Sequence, residues 1–521
     1  MTTPPNITLD GWLGARALRS AHRPALTFRD ETWTYAEFAE RVERLAGVLR
    51  DGGVVRGDRV GYLGLNHSAF LVALFASSRL GAIFVPLNFR LAGPEIEFAV
   101  NDAGLHTLIV AASHEALVES IRPKLVCVRY LPVEPLPQGE RVAASASEPG
   151  DVAVIMYTSG TTGRPKGAML THSNIWWNNV NALLTMDSAE DDVSLNSAPL
   201  FHIGGLNVTT LISLMKGSHM VLHEQFDPEA FFDDVVRYRV TKHFAVPAML
   251  LFLSQHERFA AADLSSLRSI IVGGAPVPEP LLRTYIARGV TLHQGYGMTE
   301  TAPMITFLTP EWSLAKLGSA GRTPLLSEIR LIDAEGNVVT EPRTRGEICT
   351  RGPNIMAGYW QLPDATRETI DADGWLHTGD IGEIDEDGFL YVCDRVKDMI
   401  ISGGENVYPA EVESVLYRHP AVAEVAVIGA PDSKWGEAVV AVTVLKAGAS
   451  LTLDGLRDFA KTELAGYKLP SALFVIEGLP RNPAGKVLKH ELRERYARES
   501  ATPEREAARP ERETAGAGAR E

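Results

Sequence analysis

Residues 157–170 read YTSGTTGRPKGAML. They follow the strand-like run VAVIMY. Thr158, Ser159, Thr161 and Thr162 are interleaved with Gly160 and Gly163, and Lys166 stands at the end. Glycines let backbone N–H groups turn towards an anion, and the hydroxyls add donors. Such a loop suits a polyphosphate chain, with many weak donors and one fixed charge. The Walker loop requires G-x-x-x-x-G-K-[ST]. Here Pro165 stands five places after Gly160, and Gly167 follows Lys166. A phosphotransferase built on a Walker loop is therefore excluded.

On either side of the loop, strand-length apolar runs alternate with helix-length ones. DRVGYLGLN, SAFLVALFASSRLG and AIFVPLN form one strand–helix–strand unit; LRSIIVGGAPVP, EPLLRTYIARG and VTLHQGYG form another. That alternation predicts parallel-type sheets flanked by helices. Beyond about residue 317 the texture changes to short strands with turns at EGN and EDG, which predicts antiparallel hairpins. From about residue 395 a compact stretch carries its own order of helix, two strands, helix and strand. The expected fold class is α/β. A large domain over 1–394 holds two stacked parallel-type sheets and a small antiparallel barrel-like part. A smaller α+β domain follows over 395–497. Residues 498–521, charged and without apolar periodicity, read as a disordered tail.

The 521 residues are 45% apolar, ample for large cores. Lys and Arg number 50 against 65 Asp and Glu, for a net charge of −15. No basic surplus exists for general polyanion binding, so nucleic acid is not an expected partner. Cys127, Cys349 and Cys393 are odd in number and widely spaced, with no CxxC pair. They read as reduced cysteines rather than a disulfide framework or a zinc site. The first residues lack a basic n-region and an apolar h-region. The longest apolar run, residues 69–87, is broken by Ser, Arg and Gly, so no membrane span is expected. A cytoplasmic protein is the resulting expectation, with oligomeric state left open.

The ten-residue string TSGTTGRPKG resembles the phosphate loop of the adenylate-forming superfamily, which includes acyl-CoA synthetases, aryl-CoA ligases, peptide-synthetase adenylation domains and luciferases. Further motifs of that superfamily follow in order: PLFHIGG at 199–205, GGAPVP at 273–278, QGYGMTET at 294–301, GWLHTGD at 374–380, DRVKDMIISGGENVYPAEVE at 394–413 and PRNPAGK at 480–486. The resemblance spans about residues 10–497 and is greatest to fatty acid–CoA ligases. It implies an enzyme that joins a carboxylate to the α-phosphate of ATP, releases pyrophosphate and passes the acyl group to a thiol.

The resemblance also assigns residues. Glu300 is the magnesium carboxylate, with Thr158 beside it; Mg²⁺ keeps waters, takes one or two carboxylates and bridges phosphates. Thr158, Ser159, Gly160, Thr161, Thr162, Gly163, Lys166 and Thr299 would hold the phosphates, with Thr162 counted among the catalytic residues. Gly274, Ala275, Gln294, Gly295, Tyr296 and Gly297 would form the adenine side, with Tyr296 stacked on the base. Asp380 would take the ribose hydroxyls, and Arg395 would assist at ribose and phosphate. Lys486 would be the catalytic lysine, a mobile charge that stabilises the oxyanion only during adenylation. Lys397 is the hinge position. Rotation of the small domain about it would withdraw Lys486 and bring Gly403 and Gly404 to the thiol channel. Arg90 and Trp435 match positions around CoA.

Peptide-synthetase relatives hold the substrate's ammonium with an aspartate after the pocket phenylalanine. His202 stands there, so an amino acid is not expected. His202, Ile203, Gly204 and Gly205 are the acyl-side residues, the glycines leaving space for a fatty acid, with an aryl acid the alternative. The acceptor reads as CoA, or alternatively the phosphopantetheine arm of an acyl carrier protein. GYKLPS at 466–471 keeps only Lys468 where CoA-using relatives carry more basic residues. A non-catalytic ligand-binding homologue is the reading of a different class. Lys166, Glu300, Asp380, Arg395 and Lys486, all present, argue against it.

Overall fold

The computed structural model describes residues 7–142, 147–158, 165–275, 277–395, 398–402, 405–432, 436–461, 463–464, 466–481 and 487–497. The first predicted unit forms: strand Arg59–Leu63 leads through helix Ser68–Arg79 into strand Ile83–Leu87, with Arg59 opposite Ile83 in parallel register. That helix is buried along its whole length. It therefore needs no polar face, which is why Ala69–Ala76 are apolar all round, with Ser77, Ser78 and Arg79 only at its end. No helix among the described residues is long and apolar enough to cross a membrane. The second unit, Ser269–Val272, Glu279–Ala287 and Thr291–Gly297, is likewise parallel.

These strands belong to two large sheets. The seven-stranded sheet runs, in spatial order, Gly358–Tyr359, Lys166–Thr171, Val152–Thr158, Ile83–Leu87, Arg59–Leu63, Thr107–Val110 and Arg129–Pro132. The eight-stranded sheet runs Met304–Leu308, Thr291–Gly297, Ser269–Val272, Lys242–Ala245, Val193–Asn196, His219–Leu222, Pro24–Phe28 and Glu31–Thr34. One core joins them, with Phe70 and Phe75 of the buried helix packed among Phe84 and Val154 of one sheet and Leu26 and Leu222 of the other.

Arg129–Pro132 closes the seven-stranded sheet as a parallel edge, but parallel pairing does not hold throughout. Val152–Thr158 pairs antiparallel with Lys166–Thr171, and Thr291–Gly297 antiparallel with Met304–Leu308. The connections there are too short for the crossover that parallel neighbours need. The sheets are mixed rather than parallel-type throughout, and the two reversals carry the TSGTTG and YGMTE stretches.

The expected antiparallel part is a four-stranded sheet of Glu328–Ile332, Gly346–Arg351, Leu376–Ile384 and Leu390–Arg395. The chain parts into two compact units between Val392 and Cys393. Within the second unit a five-stranded sheet is built from Ile400–Ser402, Glu405–Val407, Val422–Asp432, Gly436–Leu445 and Ala472–Val475. Helices Pro409–Leu416 and Leu453–Ala460 pack through Val412, Leu416, Leu456 and Ala460. The second of these ends at Ala460, and Gly466–Lys468 forms a separate 3₁₀ turn. The predicted tail, 498–521, lies outside the described residues.

Candidate active site

The phosphate-loop stretch begins and ends on neighbouring strands. Thr158 is the last residue of Val152–Thr158 and faces Lys166, the first of Lys166–Thr171. The Thr158 hydroxyl donates to the Lys166 carbonyl at 3.4 Å. The expected phosphate contacts Ser159, Gly160, Thr161, Thr162 and Gly163 lie outside the described residues. The Lys166 ammonium sits 4.9 Å from the centre of the Tyr359 ring. The Tyr359 hydroxyl in turn donates to Glu300 Oε1 at 2.9 Å. Burial and the Glu300 carboxylate both push the Tyr359 hydroxyl upward, so it stays protonated and remains a donor. Lys166 and Glu300, 134 positions apart, are thus linked through one tyrosine.

Glu300 is buried, in the 3₁₀ turn Thr299–Thr301. Its carbonyl accepts from Met356 N at 2.9 Å. Asn354 Nδ2 donates to the carbonyls of Thr301 at 2.7 Å and Met304 at 2.9 Å. The turn that carries Glu300 and Thr299 is therefore held from outside by residues 354–359. At Gly297 a β-carbon would come 1.7 Å from the Pro303 carbonyl oxygen, so the chain can double back there only with glycine.

Residues expected on the nucleotide side also meet one another. Tyr296, next to last in its strand, donates through its hydroxyl to Asp380 Oδ2 at 2.6 Å. Asp380 N donates to the Thr378 hydroxyl, which donates to the Ile348 carbonyl at 2.8 Å. Gln294 is buried and accepts from Val277 N, tying the GGAPVP turn to the neighbouring strand. Gly274 has a φ of +86°, a left-handed conformation that favours glycine, and Ala275 beside it is exposed. Gly295 lies next to Phe307. Arg395 closes strand Leu390–Arg395.

On the acyl side, Ile203 is buried, and Phe201 packs on Phe89 with ring centres 5.3 Å apart and on His202 at 4.7 Å. Burial, helped by the positive charge of Arg90, lowers the His202 pKa to about 4, so the imidazole is neutral near pH 7. Arg90, expected at the CoA end, is thus an electrostatic neighbour of His202. The glycines do not leave open space as expected. At Gly205 a β-carbon would sit 2.2 Å from the Pro199 carbonyl oxygen; at Gly204 it would sit 2.9 Å from Phe244 Cζ. Both let other groups approach: one a backbone, the other an aromatic ring.

In the second unit Lys468 pairs with Glu411 at 2.5 Å, so its charge is already matched. Lys397, Gly403, Gly404, Trp435 and Lys486 lie outside the described residues. Cys127 and Cys349 are buried, and Cys393 is half-buried; all three are free thiols. Cys349 lies beside Glu347 and His377, their donor atoms within 4.8 Å of one another. Sequence spacing gave no hint of that trio. The Arg330 guanidinium faces the same group through Asp371, at 3.1 Å. Tyr359, Asn354 and Phe244 went unread in the sequence as well. No spacing rule marks them, because each acts through a partner distant in the chain.

Residues 13–360 match the AMP-binding enzyme family, and residues 411–486 match the AMP-binding enzyme C-terminal domain. The chain belongs to this family, the adenylate-forming enzymes. Among its relatives, a feruloyl-CoA synthase of an Amycolatopsis species is 47% identical, over 94% of this chain and 99% of the relative. A long-chain-fatty-acid–CoA ligase of Mycobacterium tuberculosis is 40% identical, over 90% and 94%. The solved o-succinylbenzoate–CoA synthetase of Bacillus subtilis, in complex with its acyl-adenylate intermediate, is similar with a TM-score of 0.85 and 39% identity, over 94% and 98% of the two chains.

Proposed function

We propose that this protein is an ATP-dependent acid–CoA ligase. It joins a carboxylic acid to the α-phosphate of ATP with release of pyrophosphate, then transfers the acyl group to the thiol of CoA. The observation that carries the reading is the Lys166–Tyr359–Glu300 chain beneath the phosphate-loop hairpin. It pairs a cation for phosphate with a buried carboxylate whose position is braced. That donor set fits Mg²⁺, held by Glu300 with Thr158 nearby, and the ion would neutralise charge developing on the phosphates. Lys166 and the loop hydroxyls then bind the β- and γ-phosphates as the departing group. Tyr296 and Asp380 receive adenine and ribose.

The neutral His202 suits the acid's side, since it adds no cation that would hold the carboxylate back from attack. For the acid we place an aromatic carboxylic acid first, on the names of the feruloyl and succinylbenzoate relatives, and a fatty acid second. Those names also support CoA as acceptor, and the carrier-protein alternative gains nothing from them. Lys486 stabilises the adenylation oxyanion. Alternation about Lys397 exchanges it for the Gly403–Gly404 segment, with Arg395 at the ribose and Trp435 near the thiol.

Two measurements test this. Pyrophosphate release is followed with ATP, Mg²⁺ and a panel of aromatic and aliphatic acids; release with none of them overturns the reading. Lys486→Ala should suppress adenylation while sparing thioester formation from preformed acyl-adenylate and CoA. Equal loss of both half-reactions would refute domain alternation.

A further inference from the structure

The sheet face beside the acyl-side residues continues past them. In the eight-stranded sheet Phe244 is in register with Asn196 and Ile271. Lys242, two residues earlier, is in register with Ser194 and Ser269. Strand alternation puts all six on one face. The helical run Gly205–Thr210 and Leu211–Lys216 covers that face. At its start Gly204 meets the tip of Phe244, and near its end the Ser213 hydroxyl donates to Ser194 Oγ at 2.8 Å. Helix and strands thus run in opposite directions. The layer between them leads from His202 towards the N-terminal ends of the strands.

In that layer lies a narrow cleft of about 20 Å³, room for about one water molecule, lined by Val208, Ile212, Ile271, Met186, Thr209 and Lys242 among others. Thr209 Oγ1 is buried there without a hydrogen-bond partner. Lys242 is committed elsewhere, to Asp192 at 3.1 Å and Ser188 Oγ at 2.7 Å. Between His202 and this cleft stands Phe244, 5% exposed and packed with Ile212 and Ile271. The tip of its ring lies between two glycines: a β-carbon at Gly204 would come 2.9 Å from Cζ, and one at Gly273 would sit in ordinary contact, 3.7 Å from the adjacent Cε2. Glycine at 204 is what lets an aromatic ring fill this place.

We infer that Phe244 is the stopper of the acid pocket: its ring ends the space for substrate beyond Gly204 and Gly273, cuts off the cleft behind, and restricts the enzyme to compact acids. The inference rests on the reading of residues 202–205 as the acid side. A flat aromatic acid lies against the ring without displacing it. A long saturated chain needs the volume that the ring occupies, and only with the ring gone does the apolar wall of Val208, Ile212 and Ile271 become its surface. Phe244 is a specificity residue; it touches none of the reacting atoms.

The test is pyrophosphate release with ferulate and with dodecanoate by wild type, Phe244→Ala and Phe244→Leu, with the fold checked by circular dichroism. The ratio of kcat/KM for dodecanoate over ferulate should rise about tenfold or more in Phe244→Ala and by less in Phe244→Leu, in keeping with the worth of a few methylenes in an apolar pocket. Phe244→Ala/Ile212→Phe, which refills the layer from the helix side, should bring the ratio back towards wild type. Should the alanine variant not fold, the leucine variant carries the test. An unmoved ratio in a folded variant overturns the stopper, as does a wild type that takes dodecanoate as well as ferulate. Absence of release by wild type with every acid, compact or long-chain, overturns the acid-ligase reading and the stopper with it, whereas release with long-chain acids but no compact one overturns the stopper alone. Release with ferulate but an unmoved ratio overturns the stopper alone.

Discussion

Tyr359 holds two charges in relation: the face of its ring receives the Lys166 ammonium, and its hydroxyl reaches Glu300. Tyr359→Phe keeps the ring and removes the donor, leaving the carboxylate with one fewer constraint. A hydrogen bond to a charged group is worth about 1.5–3 kcal/mol, so kcat/KM for ATP should fall by about tenfold to a hundredfold. The Mg²⁺ concentration for half-maximal pyrophosphate release should rise as well; an unchanged magnesium dependence would show that Tyr359 does not position Glu300. Gly297 makes a stricter case. Gly297→Ala places a methyl group 1.7 Å from a backbone oxygen, and only movement of the Thr299–Thr301 turn can relieve that. Thermal melts should show a loss of several degrees together with loss of activity. The glycines of YGMTE and PLFHIGG were readable as glycines, but what each one admits was not. Pro303, Pro199 and Phe244 stand at those contacts for steric reasons that no spacing contains.

At the scale of elements, the turn bearing Glu300 is braced by residues far along the chain. Asn354 closes two carbonyls, those of Thr301 and Met304. Asn354→Ala leaves both buried acceptors without that donor, at a cost of about 3 kcal/mol. Urea unfolding should show the midpoint lowered in proportion, and added ATP with Mg²⁺ should recover part of the loss by binding the folded state. No recovery would mean that the brace serves stability alone. The strand–helix–strand units were legible because apolar runs of strand length alternate with helix-length runs in each. The antiparallel edges were less so. A strand's composition does not state its partner's direction, and only the shortness of the connections decides it.

Across the whole molecule, buried and half-buried imidazoles set an acid limit. Burial lowers the pKa values of His172, His219, His243 and His293 to about 4, and His202 joins them with help from Arg90. In the unfolded chain these groups titrate near pH 6.5. Below that pH the unfolded state takes up protons that the folded state refuses. Their stabilising effect is therefore complete above about pH 7 and is lost as pH falls from about 6.5 towards 4. The Tm should drop steadily between pH 7 and 5, and His243→Gln should shallow the slope; an equal Tm at both ends would contradict the account. The sequence by itself determined the family and the order of the units. Those rest on local strings and periodicities, which need no partner to be read. Only the tertiary structure decided that Lys166 and Glu300 meet through Tyr359, that the glycines of PLFHIGG are filled rather than open, and that Phe244 stands between His202 and the cleft. Apart from the Gly205–Pro199 approach within PLFHIGG, each is a contact between chain segments tens to hundreds of residues apart, and close packing settles such contacts by shape, which a linear sequence does not display.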